Sequence, residues 1–370
     1  MAALLLFSGL AAGGSPLLPT LRELYRRPEC GQLFAAAFDA VRAAFDRAGE
    51  DSYRPHMPNG LPLKEWLSGA AEPSPGDLAH SLVDGICVLI WQFCLLQPHR
   101  RGSGPPHLRT PATGMLGYSL GLFAAAVAGM RIDNRREFLD VSHDALATVT
   151  LIMLRCHENT AAMRCEPDTA ARYLSRFPAA AAPTPMAAIL GVDVDAVRDA
   201  VAASNERAGA RPVEVGIVNS PRSAVLVGPA GALAEFRLDN HDFLTAQRAH
   251  WSFLTCRTPY HGRLLGPVAE RMEADWSRGD FDITGDQLAL PVWGADTVRN
   301  LQSSRSVRRD FVEHVICRPL DWPAIVRDAL GTGVPDGILD YGPGLGARLF
   351  TRECLQALGH RSRFDTVRTG

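Results

Sequence analysis

No apolar run in this chain approaches the length needed to span a bilayer. The first ten residues lack a basic segment and carry only a very short apolar stretch. Residues 4–7 therefore read as a buried first strand rather than as the core of a secretory leader. The 8 cysteines form no Cys-x-x-Cys pair, and their spacing suits neither a zinc site nor a disulfide framework. Scattered thiols in a large apolar-rich chain fit a reducing compartment, so a cytoplasmic location is expected, with Cys87 and Cys94 as core residues. Charge of one sign is also missing. A net charge of -2 gives no reason to expect nucleic acid or a polybasic membrane contact. No internal repeat occurs, and the one biased stretch, the Ala/Pro segment 178–185, reads as a linker.

What is present is length and apolar content. With 370 residues, 46% of them hydrophobic, the chain can form one large domain with an insert, or two domains. Arginine clusters at Arg26-Arg27, Arg100-Arg101, Arg135-Arg136, Arg305 and Arg308-Arg309 read as solvated faces, any one of which could dock an acidic protein.

Glycine is abundant, 33 residues, and five positions stand out: Gly117-Tyr118-Ser119-Leu120-Gly121. A serine hydroxyl is a weak nucleophile until a sharp turn exposes it and a neutral imidazole takes its proton. Gly-x-Ser-x-Gly is the sequence form of that turn. The apolar run 112–116 before it suits a buried strand, and residues 122–130 suit a buried helix starting at the serine. The same five residues also fit a Gly-rich turn ahead of a core helix, and the pentapeptide alone does not separate the two. A second segment, Thr258-Pro259-Tyr260-His261, supplies a candidate base.

Elsewhere, periodicity predicts helices over 21–48, 81–97 and 136–156, and loops over 11–16, 54–75 and 97–111. Residues 186–190, 213–218, 224–227 and 251–256 read as strands, with a helix over 194–203, a second helix beginning over 231–236, and a turn at Asn219-Ser220-Pro221-Arg222. The order β-α-β-β-α-β is a split βαβ unit. It predicts a small subdomain, residues 184–257, inserted into a larger body of residues 1–183 and 258–370. Ser119 then lies before the insert and His261 after it, with the cleft between the lobes as the default ligand site. Helices near 267–276 and 322–330 and a strand-turn at 337–344 complete the chain.

Five segments agree in order with one family: Phe7-Ser8-Gly9, Gly117 to Gly121, Asn219 to Arg222, Pro259-Tyr260-His261 and Asp340-Tyr341-Gly342-Pro343-Gly344. The chain resembles the acyltransferases of fatty-acid and polyketide synthases, and within them the starter-unit acyl-carrier-protein transacylase domain of fungal non-reducing polyketide synthases. The resemblance implies an α/β fold with an α/β-hydrolase-like core and a ferredoxin-like insert. It implies Ser119 as acylated nucleophile, His261 as base, and the backbone N–H groups of Leu10 and Leu120 as the oxyanion hole. The turn from Asp340 to Gly344 would lie against the imidazole, by carboxylate or backbone. Tyr118 and Asn219 are the further candidates at the site, Asn219 either facing the cleft or capping its hairpin.

Two departures bear on substrate. Serine stands where starter transacylases commonly carry cysteine, which implies an oxyester intermediate. The extender-loading relatives have His before the serine and an arginine on the following helix that pairs with the malonyl carboxylate. Here Tyr118 replaces the first, and counting along the helix puts Asp144 or Ala145 at the second, with Arg155 about three turns later. An uncharged acyl group is therefore expected, moved from a coenzyme A or carrier-protein thioester to a carrier's phosphopantetheine thiol. No bound cofactor or metal is expected, and the implied partners are an acyl carrier protein and the rest of a multidomain synthase. A malonyl transferase remains an alternative. So does a serine esterase or thioesterase, since Asp239 and Asp242 lie between Ser119 and His261 in chain order. A catalytically silent docking domain is the third. His157 and His314 read as structural, and His241 and His250 as solvated.

Overall fold

In the computed structural model, residues 3–10, 17–98, 111–158, 163–208, 213–277, 280–295, 300–331 and 333–367 are described. The strands are β1 (Ala3–Phe7), β2 (Ala112–Gly117), β3 (Met186–Leu190), β4 (Glu214–Ser220), β5 (Ser223–Val227), β6 (His250–Phe253), β7 (Val292–Trp293), β8 (Leu320–Asp321), β9 (Gly337–Asp340) and β10 (Arg363–Thr366). They form two sheets, in the orders β10-β9-β1-β2-β7 and β6-β3-β5-β4-β8.

Every pairing in the first sheet is parallel. Its central strand β1, Ala-Leu-Leu-Leu-Phe, is buried at all five positions, as expected of a strand covered by helices on both faces. The helices that matter here are α1 (Leu18–Tyr25), α2 (Gly31–Ala48), α3 (Ser81–Leu96), α4 (Gly121–Gly129) and α5 (Arg135–His157). α4 is Gly-Leu-Phe-Ala-Ala-Ala-Val-Ala-Gly and buried throughout, so small side chains let it pack between the sheet and its neighbours. α5 begins at an Asn134 cap whose side chain accepts from the N–H groups of Arg136 and Glu137.

The second sheet separates its two faces by the pleat. Ala187 and Ile189 of β3 enter a second hydrophobic core with Leu226, Leu233 and Phe236. Met186 and Ala188, one position out of phase, turn to the main core. Helices α6 (Val194–Ala208) and α7 (Ala230–Asp239) are the two helices of the β-α-β-β-α-β order. Numbered within the insert, its strands lie side by side as fourth, first, third, second, with antiparallel pairs throughout. The second core reaches beyond residues 184–257. Tyr173, from the helix Pro167–Arg176, is buried in it, and β8 adds a parallel fifth strand beside β4.

Several local expectations shift. The predicted helix 21–48 is two helices, broken at Arg26-Arg27-Pro28, because proline cannot continue an α-helix through its ring and missing N–H. The expected loop 54–75 contains the helix Leu63–Ser68, which buries Trp66 and Leu67. The last strand of the insert stops at Phe253, three residues short of the prediction. The 11–16 loop, Arg100-Arg101 and most of the 97–111 loop lie outside the described residues. Two more helices close the fold, α8 (Trp322–Leu330) and α9 (Gly346–Ala357).

Candidate active site

β1 and β2 run side by side and end level, Phe7 opposite Gly117. Beyond them the Tyr118 N–H donates to the Phe7 carbonyl (2.9 Å), and the Gly121 and Leu122 N–H groups return to the Tyr118 and Ser119 carbonyls, 3.0 Å each. Ser119 sits in the left-handed region at φ 55°, a strained conformation for a residue with a side chain, and the turn lifts its hydroxyl off the strand. The glycines follow from crowding. A Cβ at Gly121 would lie 2.3 Å from the Phe7 carbonyl oxygen, and one at Gly9 only 3.0 Å from Ser119 Cβ. The first-strand loop therefore backs directly onto the serine. The helix starts at Gly121, two residues after the predicted onset.

His261 arrives from the far side of the insert. Its N–H donates to the Ile316 carbonyl (2.9 Å), and its backbone is also left-handed, at φ 63°. Nε2 lies 2.8 Å from Ser119 Oγ. The ring is 2% exposed, and burial lowers its pKa from 6.5 to about 3. Nδ1 is buried with no hydrogen-bond partner among the described residues.

That last observation bears on Asp340. Its carboxylate accepts from the Gly342 N–H (2.9 Å) and so folds its own turn. No hydrogen bond from this turn reaches the imidazole, although Pro343 and Gly344 line the same cavity as His261. Among the described residues no third polar group orients the ring, whose backbone is anchored at Ile316. Asp239 and Asp242 are exposed, and since His261 Nδ1 has no partner among the described residues, neither completes a triad.

Leu10 and Leu120 line the same cavity as Ser119. Leu10 follows Gly9, and Leu120 caps α4, and neither N–H donates a backbone hydrogen bond among the described residues. Tyr118 Oη donates to Asn219 Oδ1 (2.5 Å), and Asn219 Nδ2 donates to Ser223 Oγ (3.2 Å). Asn219 thus lines the cavity from the next-to-last position of β4, and the hairpin bend itself is only Pro221-Arg222. One positioning residue was not singled out in the sequence. Gln92 Nε2 donates to both the Ser8 (2.9 Å) and Gly342 (2.7 Å) carbonyls, fastening the first-strand loop to the last turn. Its signal is a lone amide within the apolar run of α3.

The pair opens on a cavity of about 450 Å³ between the sheets, walled largely by apolar groups such as Met153, Leu254, Phe311 and Ile316. Among the described residues no arginine or lysine lines it. The residue that α5 presents is Met153, which corrects the count to Asp144 or Ala145. Asp144 instead pairs with His143 (2.7 Å) in a cleft beside α2. Arg155 is 2% exposed and clasps Asp275 through Nε (2.6 Å) and Nη2 (3.1 Å), outside the cavity. His157 is buried and bonded to Ser81 Oγ (3.0 Å), a structural role, as read from the sequence. Among the arginine clusters, Arg308 and Arg309 are taken up by Asp282 (3.4 Å) and Glu273 (2.5 Å). Among the described residues no three His, Cys, Asp or Glu side chains are grouped to hold a metal, and no helix is long and apolar enough to cross a membrane.

A sequence profile described as "Starter unit:ACP transacylase in aflatoxin biosynthesis" matches residues 5–261, from β1 through the serine and the insert to the histidine. The chain belongs to this starter unit:ACP transacylase family. Among curated relatives, the family member is 25% identical over 305 residues to the fatty acid synthase subunit beta of Saccharomyces cerevisiae, covering 77% of this chain and 14% of the relative. It is 25% identical over 313 residues to a fatty acid synthase beta subunit of Emericella nidulans, covering 77% and 16%. The chain thus spans only about a sixth of the length of these relatives. Among solved structures, an acyltransferase domain from the second module of the salinomycin polyketide synthase matches with TM-score 0.61 and 19% identity, over 99% of this chain and 68% of that one. The malonyl-CoA:acyl carrier protein transacylase of Xanthomonas oryzae matches with TM-score 0.61 and 18% identity, over 100% and 96%. These likenesses give the mixed α/β acyltransferase fold.

Proposed function

We propose that this chain loads a non-carboxylated starter acyl group onto an acyl carrier protein, priming polyketide synthesis, through an ester on Ser119. The observation that carries this reading is the 2.8 Å contact between Ser119 Oγ and His261 Nε2, at the wall of a cavity with no arginine or lysine among its described lining residues. Neutral His261 takes the hydroxyl proton as Oγ attacks the thioester carbonyl. The tetrahedral oxyanion is held by the N–H groups of Leu10 and Leu120, each worth about 3 kcal/mol in the barrier. Collapse breaks the C–S bond, and the imidazolium returns its proton to the departing thiolate. The phosphopantetheine thiol of the acceptor then gives its proton to His261 and attacks the ester. The second collapse releases Ser119, reprotonated by the imidazolium. The cycle needs no redox or metal step and no cofactor held by this domain.

The fold reading that goes with it is an α/β-hydrolase-like core carrying a ferredoxin-like insert, supported by the parallel first sheet and by the fourth-first-third-second strand order of the second. Donor and acceptor carriers, a multidomain synthase around the domain and a cytoplasmic setting belong to the same reading. The test is intact-mass measurement after mixing with a panel of acyl thioesters. A neutral acyl adduct that disappears in Ser119→Ala, and that chases onto a carrier thiol faster than it hydrolyses, is expected. An adduct retained in Ser119→Ala, or one that only hydrolyses, would overturn the reading.

A further inference from the structure

One buried charged group at the cavity has no part in the chemistry above. α3 presents Ser81 and Asp84, one turn apart on the same face, and both line the acyl cavity. Asp84 is 3% exposed. Its neighbour Gly85 is pressed against the reaction centre: a Cβ there would lie 2.7 Å from Met153 Sδ and 3.1 Å from Leu120 Cδ2. Leu120 directly follows Ser119, so this turn of α3 flanks the space an acyl chain on Ser119 enters. Behind it, Ser81 Oγ is held by His157 Nε2 (3.0 Å) and the Tyr260 hydroxyl (3.5 Å), with His157 Nδ1 on Thr258 Oγ1 (3.2 Å). The Asp84 charge is also felt at Cys256, another cavity residue, whose thiol is pushed up to about 11, mainly by burial and in part by that carboxylate.

From this placement we propose that Asp84, seconded by Ser81, selects the acyl group, and that the group it selects carries a hydroxyl on its chain. The inference rests on the acyl-transfer reading of Ser119. A purely alkyl chain packed against these two groups makes no hydrogen bond with either. A chain hydroxyl donates to the carboxylate and accepts from Ser81. A carboxylate has about four acceptor positions, so a contact within the protein still leaves room for one from substrate. Sites built to bond a substrate hydroxyl discriminate strongly against the analogue that lacks it, whereas an apolar wall barely distinguishes the two.

The experiment measures kcat/KM for Ser119 acylation, by intact mass, with N-acetylcysteamine thioesters of hexanoate, 3-hydroxyhexanoate and 5-hydroxyhexanoate. The wild-type protein is expected to favour one hydroxylated chain over hexanoate by at least about tenfold. Asp84→Leu is expected to bring that ratio to one or below, with hexanoyl acylation kept or raised. Should Asp84→Leu fail to fold, Asp84→Asn keeps the size and weakens the acceptor, and a ratio lowered several-fold is expected. A wild-type ratio near one, or a ratio unchanged in the variant that folds, overturns the assignment while leaving acyl transfer intact. No acylation of Ser119 by any of the three sinks the acyl-transfer reading, and this inference with it.

Discussion

The Tyr118 hydroxyl donates to Asn219 Oδ1 across 2.5 Å, joining the turn that carries Ser119 to the end of β4 in the second sheet. Tyr118 also packs edge-on against Trp322, so its position is fixed from two sides. The bond ties the distance between lobes to the geometry of the nucleophile. Tyr118→Phe removes the donor and leaves a buried amide oxygen unsatisfied, a loss of about 1–3 kcal/mol. The expected result is a fall of roughly tenfold in acylation kcat/KM, with the carrier-thiol step slowed as well. Asn219→Ala should show a similar fall, and the double variant should lose less than the two single losses combined. Strictly additive losses would argue that the contact does not couple the lobes.

The acid limb of the acylation rate should lie far below the ordinary histidine range. His261 acts as a base only when neutral, and burial lowers its pKa from 6.5 to about 3. The neutral form therefore dominates at pH 5, and single-turnover acylation there should stay within about twofold of its value at pH 7. Fold stability runs the other way. His80, lowered by burial to about 4, and His261 have folded pKa values below their unfolded ones. They contribute stability that is present above about pH 6.5 and lost as pH falls toward 4 and below. Circular dichroism at each pH separates the two effects. An acylation limb centred near 6.5 in folded protein would contradict the buried-base assignment.

Malonyl transfer should be slow. Among the described residues no arginine or lysine lines the cavity, and the residue α5 contributes to it is Met153. Burying an unpaired carboxylate costs several kcal/mol, so malonyl thioester should acylate Ser119 at least about a hundredfold more slowly than a neutral acyl donor of similar size. Stopped mass measurements with both donors check this. Equal rates would count against a non-carboxylated starter.

The sequence made visible what hydrophobicity and glycine encode. The buried β1, the elbow at Ser119, the apolar helix α3 and the β-α-β-β-α-β order of the insert are all patterns of apolar spacing or of crowding at glycine. Single polar groups inside apolar runs were not visible that way. Gln92 and Asp84 lie in α3, and periodicity reads only the helix around them. The Asp144 count failed for a geometric reason. Met153 lies nine residues further along α5, about 13 Å up the axis and half a turn round, so the two face opposite sides. Counting from the serine fixes chain length, whereas the helix phase decides which side chain meets the cavity. The Tyr118–Asn219 bond spans 101 residues and has no local signature at all.

The oxyanion hole yields the sharpest test because its donors are backbone groups that side-chain deletion leaves in place. Leu10 follows Gly9, whose Cα already lies so close to the elbow that an added Cβ would meet Tyr118 O at 2.8 Å. Leu10→Pro removes that N–H without adding charge. Its preceding glycine tolerates the backbone region that proline imposes on the residue before it. The expected loss is about a hundredfold or more in acylation, the range seen when one such donor is removed, with a circular dichroism spectrum and melting transition close to wild type. Leu10→Ala is the control, since it trims the side chain and keeps the donor. Its acylation should stay within a few-fold of wild type. Equal losses in both variants would mean that Leu10 serves the site by packing, and the second donor beside Leu120 would have to be sought elsewhere on the first-strand loop.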